Sequence, residues 1–141
     1  MEQKEKFDRV DDAVCAVRSA LEEGIIAGAG VPLLRLSKEL KAQGESKEEL
    51  VGVKILKDAL SVPCKQILRN AGENEDNVIK FILDARNGYD VKNQKFGDLY
   101  SMGIIDPLKV TKNALINAVS VATTILSTNA IVTLARTYDN K

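Results

Sequence analysis

A chain of 141 residues is long enough to build one domain with a hydrophobic core and too short for two ordinary domains. Hydrophobic residues make up 45% and charged residues 28% of the sequence, a balance typical of soluble globular proteins. The 20 basic and 20 acidic residues cancel, so no net charge draws the chain to nucleic acid or to an anionic membrane. The absence of histidine excludes Ser-His-Asp and Cys-His catalysis and removes the commonest metal ligand.

The remaining composition favours a mainly α-helical fold in a reducing, cytosol-like compartment. Aromatic residues are only 4% and tryptophan is absent, so the core must consist of Ala, Val, Ile and Leu side chains. Cys15 and Cys64 lack the spacing of a zinc site or disulfide framework, and the charged amino terminus does not resemble a signal peptide. We therefore predict two buried free thiols. The uncharged stretch 113–135 contains many Asn, Ser and Thr residues, which predicts a buried helix and a strand, not a membrane anchor.

The first 87 residues predict five helices with recognisable ends. Gly24 is placed to end the first helix, Pro32 to open the second, and Gly44 to close it. Ser46 and Glu49 form a capping box for the third, whose apolar residues on several faces predict deep burial. The expected ranges are 7–23, 32–44, 47–60, 63–72 and, with Asn74 or Asp76 as the cap, 75–87.

The pattern changes after residue 87. Residues 88–99 have the turn residues and alternation of a small β-hairpin. Asp106 and Pro107 are typical of an N-cap followed by a first-turn proline, and the long helix they open, to about Leu126, is apolar on most sides and is predicted to be the core. The tail 130–136 predicts a strand without a partner in the chain, an edge suited to pairing with another chain.

Spacing alone identifies few candidates for chemistry. The Gly28-Ala29-Gly30 segment lacks the third glycine of a dinucleotide fingerprint and the Gly-Lys-Ser/Thr of a P-loop; both a helix–helix turn and a ligand loop remain open. Asp12 and Asp106 are typical of helix amino termini, and Asp90 is ordinary in a turn. From the residues alone, the protein is a soluble, mostly helical domain with an unpaired strand.

Three long segments nevertheless resemble one family in the same order along the chain. They are DRVDDAVCAVRSALEEGIIAGAGVPLLRL (8–36), VPCKQILRNAGEN (62–74) and GYDVKNQKFGDLYSMGIIDPLKVTKNALINAVSVATTILSTNAIV (88–132). These segments are similar to the carboxy-terminal part of group I chaperonins of the GroEL type, from the end of the intermediate domain through the second half of the equatorial domain.

The resemblance implies an equatorial-domain-like helical bundle and the following organisation. Residues 1–21 would end an intermediate domain, and residues 22–141 would form the carboxy-terminal half of an equatorial ATP-binding domain. The apical domain, which binds non-native client proteins and the co-chaperonin lid, and the amino-terminal half-site with its Gly-Asp-Gly-Thr-Thr phosphate loop would be absent. We would expect a truncated gene or a piece of a cytoplasmic, ring-forming subunit, without ATPase activity alone.

The resemblance also implies roles for particular residues, with ATP or ADP and Mg²⁺ as ligands in the intact ring. Asp12 would be catalytic, would help to hold Mg²⁺ and would orient the attacking water, as phosphoryl transfer requires. The predicted nucleotide-binding residues are Gly28, Ala29, Gly30, Asp90, Val91, Ile104 and Asp106. The strand at 131–134 would pair with a neighbouring subunit. The chain departs from the family pattern at Ala29 (usually Gly), Asp90 (usually Asn) and Asn129 (usually acidic).

Two other kinds of function compete with this hypothesis. A stand-alone helical interaction module would use its terminal strand to dimerise and would bind no nucleotide. A small dedicated enzyme is disfavoured because the sequence offers no histidine, metal cluster or activated nucleophile.

Overall fold

The structure of the chain, a computed structural model, describes residues 2–41, 43–85 and 87–133. It is mainly helical, as the sequence predicts. The helices in the described ranges are α1 (Glu2–Glu23), α2 (Val31–Glu39), α3 (Lys47–Leu60), α4 (Val62–Asn70), α5 (Glu75–Ala85) and α6 (Leu108–Leu126). The strands are β1 (Ile25–Ala27), β2 (Gly88–Asp90), β3 (Lys95–Gly97) and β4 (Ile105–Pro107).

Local side-chain chemistry sets several of the helix ends. The Ser46 hydroxyl accepts a hydrogen bond from the Glu49 amide at 3.1 Å, which confirms the predicted cap of α3. The Asn74 side chain accepts the Asn77 amide at 3.2 Å, so Asn74 caps α5. Gly24 follows α1 with φ of 86°, the left-handed conformation that glycine adopts without steric cost.

The strands form two small antiparallel sheets. β2 pairs with β3, with Tyr89 opposite Phe96, as the predicted hairpin. β1 pairs with β4, with Ile26 opposite Asp106, which the sequence did not predict. This second sheet brings the segment after α1 next to the segment before α6, and the Leu108 amide donates to the Gly24 carbonyl at 3.1 Å.

The hydrophobic core lies between α2, α4, α5 and the β2–β3 hairpin. Val31, Leu34, Cys64 and Ile82 are its most completely buried side chains. The other buried members are Ala27, Leu68, Val78, Ile79, Tyr89 and Leu99. α2, α4 and α5 each bury one stripe against the others, and Tyr89 of β2 and Leu99, which follows β3, complete the cluster.

Three predictions of burial were wrong. The longest apolar helix, α6, has no buried residue, although the sequence predicts it as the core. α3 buries only Leu60, and Cys15 is exposed on α1 whereas Cys64 is buried. An apolar pattern tells which residues avoid water but not which surface covers them, and the described residues leave α1, α3 and α6 largely uncovered. No helix in the described ranges combines the length and hydropathy needed to cross a membrane.

The predicted carboxy-terminal strand is not formed in its described part. α6 ends at Leu126, and residues 130–133 form neither helix nor strand, with Ile131 and Val132 exposed. A strand requires a neighbour for its backbone N–H and C=O groups, and no described strand lies beside this segment. Residues 134–136 of the prediction lie outside the described residues.

Candidate functional site

Gly28 is held directly against Ile104 by the β1–β4 sheet. The Gly28 amide donates to the Ile104 carbonyl at 2.9 Å. A Cβ atom on Gly28 would lie 3.1 Å from the Ile104 side chain and 3.2 Å from its carbonyl carbon. The close approach therefore favours glycine at position 28, and it joins two predicted nucleotide-binding residues that are 76 positions apart in the sequence.

Ala29 and Gly30 carry the chain into α2 through the left-handed region of backbone space. Their φ angles are 57° and 68°, and a Cβ atom on Gly30 would lie 2.9 Å from the Cys64 amide nitrogen. The Ala29 and Gly30 amides donate no hydrogen bond to another described residue. The loop thus presents two free N–H groups at the amino-terminal end of α2, where donors attract negatively charged or hydroxyl ligands.

Replacing Ala29 by glycine should stabilise the folded chain by about 1 kcal/mol. The left-handed conformation costs a residue with a Cβ atom about 1–2 kcal/mol, and part of the gain is offset by the extra freedom of glycine in the unfolded chain. Urea unfolding followed by circular dichroism measures the change.

Ala118→Gly on the exposed part of α6 is the matched control, because glycine in a helix interior should cost about 1 kcal/mol. Equal losses of unfolding free energy in the two variants would contradict backbone strain at Ala29.

Asp106 lies in β4 and is not the N-cap that the sequence predicts. α6 begins at Leu108, its N-cap is Pro107, and no side chain accepts a hydrogen bond there. The reason is that Asp106 pairs with Ile26 in the sheet, so its backbone is extended before the helix starts. Its half-buried carboxylate has no hydrogen-bond partner among the described residues and is free to accept one from a ligand.

Asp90 and Val91 lie where the β2–β3 hairpin turns. The Asp90 carboxylate accepts hydrogen bonds from the Lys92 amide at 2.9 Å, the Asn93 amide at 3.2 Å and the Asn93 side chain at 2.6 Å. These bonds, the Asn93 side chain foremost, lower the pKa of Asp90. Val91, like Ala29 and Ile104, packs against the edge of the hydrophobic core.

The lowered pKa of Asp90 predicts that the β2–β3 hairpin loses stability in acid. Because the folded-state pKa of Asp90 is lowered, its contribution to stability is complete above the unfolded pKa and is lost as pH falls through the folded pKa. Asn93→Ala should raise the Asp90 pKa towards its ordinary value. Carboxyl ¹³C titration by NMR measures this pKa, and an unchanged value in the variant would contradict the role of Asn93.

Asp12 lies apart from the Gly28–Gly30 segment, Ile104 and Asp106. It is exposed on α1, 12 residues before Gly24, which corresponds to about 18 Å along the helix axis. It shares a face with the half-buried Ala16, Ala20 and Glu23, so it lies on the side of α1 that turns towards β4 and α6. Within the described ranges, no three acidic or cysteine side chains gather as a metal site.

Two ion pairs fix the end of α1 against the start of α6. Lys109 bonds to Glu22, and Lys112 bonds to Glu23. An acidic residue at the carboxyl end of a helix, or a basic residue at its amino end, interacts unfavourably with the dipole of that helix. The charges at the end of α1 and the start of α6 are therefore compensated chiefly by each other. The pairs therefore join the carboxyl end of α1, the helix that carries Asp12, to the beginning of α6.

A cavity that the sequence analysis missed lies away from this cluster. It has a volume of about 220 Å³ between α2, α3, α4 and α5, and its charged lining residues are Lys38, Lys57, Asp58, Lys65 and Asp76. These residues come from four different helices, so no local spacing in the sequence could have revealed them.

The β1–β4 sheet thus brings together the Gly28–Gly30 segment, Ile104 and Asp106. Val91 packs against the same hydrophobic core, and Asp12 lies farther away on α1.

Residues 1–136 match the model of the TCP-1/cpn60 chaperonin family. This match covers nearly the whole chain and agrees with the mainly helical fold. The chain therefore belongs to the TCP-1/cpn60 chaperonin family, whose role is in protein folding and which assembles from several subunits.

Proposed function

We propose that the chain supplies the second half of an ATP site in a chaperonin of the group I type. Residues 1–21 would be the end of the intermediate domain and residues 22–141 the second half of the equatorial domain. The observation that carries the proposal is the contact of Gly28 with Ile104 and of β1 with β4. It gathers residues that the family resemblance assigns to one nucleotide from distant parts of the chain.

The chemistry of the cluster suits the ribose and adenine of a nucleotide. The free amides of Ala29 and Gly30 are donors for ribose oxygens, and the unpartnered Asp106 carboxylate is an acceptor for ribose hydroxyls. The apolar side chains of Ile104 and Val91 suit the faces of a base. Asp90 fits less directly, because its carboxylate already accepts three hydrogen bonds within the hairpin.

Binding of the phosphate end of the nucleotide would require the amino-terminal half of the equatorial domain and a movement of α1. Bound ATP and Mg²⁺ would supply the phosphoryl group and the positive charge that stabilises its transfer. Asp12 would orient the attacking water after α1 turned about Gly24, where a Cβ atom would meet nothing within 4 Å. The turn would carry α1 towards β4 and α6, and Asp12 already lies on the side of α1 that faces them, which supports this proposal.

The uncovered surfaces support an assembly with further chaperonin polypeptide. α6 exposes Ile116, Val119 and Val121 to water. A helix that is apolar on most sides is typically buried in a larger structure. We assign this surface to the amino-terminal half of the equatorial domain. The exposed Ile131 and Val132 would lie at the contact with a neighbouring subunit in the ring, whereas clients and the co-chaperonin lid would bind the apical domain.

Complementation tests the proposal. The chain would be mixed with the amino-terminal half of a TCP-1/cpn60 chaperonin that carries the phosphate loop, and Mg-ATP binding would be measured by titration calorimetry. We expect binding by the mixture and not by the chain alone. Asp106→Ala should weaken it about tenfold or more, since a hydrogen bond to a charged acceptor contributes about 1.5–3 kcal/mol.

Asp84→Ala, which removes an exposed carboxylate from α5, is the matched control and should bind as the unaltered chain does. A mixture that binds no nucleotide, or equal losses in the two variants, would refute the proposed site.

A further inference from the structure

The cavity between α2, α3, α4 and α5 is lined by charged side chains that do not pair with one another. Its lysines are Lys38 of α2, Lys57 of α3 and Lys65 of α4. Its carboxylates are Asp58 of α3 and Asp76 of α5. Among the ion pairs of the described residues, none joins one of these lysines to one of these carboxylates. The charges therefore surround one space and remain available to a further group.

The floor of the cavity is part of the hydrophobic core. Leu34 and Ile79, which line it, are 1% and 9% exposed. The buried Ser37 hydroxyl donates to the Leu34 carbonyl at 2.6 Å, so its proton is already used. The volume of about 220 Å³ is below the range of about 300–1,000 Å³ that is typical of pockets for drug-sized molecules. The cavity therefore suits a small ion with some of its hydration water.

Burial decides which sign of charge dominates the cavity. Lys57 and Lys65 are half-buried, whereas Asp58 and Asp76 are exposed. Water and salt screen an exposed charge more strongly than a half-buried one, so the two carboxylates offset the lysines only in part. Lys38 adds a third positive charge. The cavity therefore favours an anion over a cation.

The half-buried lysines retain hydrogen-bond donors for such an anion. The Lys57 ammonium donates to the Leu40 carbonyl at 3.5 Å, and an ammonium group has three N–H donors. The carboxylate that interacts with Lys65 is Glu75, which is already paired with Arg69 at 2.7 Å. Lysine ammonium groups bind phosphate oxygens as compact point charges. Lysines from separate helices can therefore contact different oxygens of one phosphate ion.

We propose that this cavity binds a free phosphate ion through the ammonium groups of Lys38, Lys57 and Lys65. A doubly charged anion interacts with three lysines more strongly than chloride does, because the Coulomb energy scales with the charge of the ion. The site goes beyond the proposed nucleotide site and does not depend on it, since it shares no residue with the Gly28–Gly30 segment or with Asp106.

Titration of the ¹⁵N-labelled chain with inorganic phosphate tests the site, with sodium chloride holding the ionic strength constant. We expect the amide NMR signals of Ser37, Ser61 and Lys65 to shift together and to saturate. The signals of Ala29 and Gly30 report separately on the amides assigned to the nucleotide. Saturation at Ala29 and Gly30 alone, or no saturation at any residue, would overturn the proposal.

Substitutions of opposite charge provide a second test. Lys57→Met keeps the apolar stem and should raise the phosphate dissociation constant about tenfold. Asp58→Asn should lower this constant about twofold to fivefold, because it removes a repulsive charge. Lys65→Met should repeat the result of Lys57→Met from a different helix, and circular dichroism checks that each variant is folded.

Lys95→Met on β3 is the matched control. Lys95 is exposed and lies outside the cavity lining, so the substitution makes the same change in net charge and should leave the dissociation constant unchanged. Equal effects of Lys57→Met and Lys95→Met would show general screening and overturn the site, as would weaker binding in Asp58→Asn.

Phenyl phosphate distinguishes the free ion from a phosphate group on a larger molecule. It should bind at least about tenfold more weakly than inorganic phosphate, because the cavity is too small to take the ring beside the charged group. Equally tight binding of phenyl phosphate would contradict the assignment to the free ion.

Discussion

Replacing Ile82 by alanine should destabilise the folded chain by about 3 kcal/mol, whereas the same replacement at Ile116 should change stability by less than about 0.5 kcal/mol. Both residues are isoleucines in helices, and they differ in exposure: Ile82 is 1% exposed in α5, and Ile116 is 57% exposed in α6. The pair therefore compares the two helices with the chemistry of the substitution held constant.

The large effect at Ile82 follows from the packing around it. Truncation removes side-chain atoms from the cluster that includes Val31, Leu34 and Cys64 and leaves a cavity, which adds to the lost transfer free energy. At Ile116 the side chain already faces water, and alanine has the higher helix propensity. Urea unfolding of the purified chain, followed by circular dichroism, gives both values.

This comparison decides where the core lies. The hydrophobic pattern of the sequence predicts α6 as the core, and the structure puts the core among α2, α4, α5 and the hairpin. A loss at Ile116 equal to or greater than that at Ile82 would contradict the structure and support the prediction from the sequence.

Asp12→Asn should reduce ATP hydrolysis by the complemented protein at least about 100-fold, the scale on which a positioned acid–base or water-orienting group acts. Nucleotide affinity should change little, because Asp12 lies on α1, apart from the glycine loop and Asp106. Single-turnover hydrolysis and Mg-ATP binding would be measured on the same preparation.

Asp8→Asn is the matched control. Asp8 lies one turn before Asp12 on nearly the same side of α1, so the substitution makes the same change in charge without altering the residue assigned to water. Equal activity of the two variants, or a loss of binding in Asp12→Asn that matches the loss of hydrolysis, would contradict the assigned role.

The parts of the fold that depend on local chemistry could be predicted from the sequence. The cap of α3 follows from the Ser46 hydroxyl and the Glu49 amide, which are three residues apart, and the hairpin follows from its turn residues. β1 and β4 could not be predicted, since strands of three residues carry no measurable period. The predicted N-cap at Asp106 is wrong because an Asp-Pro pair is compatible with both a helix start and the end of a short strand.

The candidate site likewise has some features that the sequence indicates and others that only the structure reveals. The sequence draws attention to Gly28 through its place in a glycine-containing segment, but only the structure reveals that Ile104 fills the space that a Cβ atom would need. Long-range packing decides this contact, and the periodicity of the sequence contains no information about it.

Photolabelling with an azido-adenine nucleotide is the most direct test of the central claim that this chain forms one half of an ATP site. The complemented protein would be irradiated with the nucleotide and Mg²⁺, and the labelled peptides would be identified by mass spectrometry. We expect labelling within residues 88–106, near Val91 and Ile104, and protection of these peptides by excess ATP. Labelling confined to other parts of the chain, or labelling that excess ATP does not reduce, would contradict it.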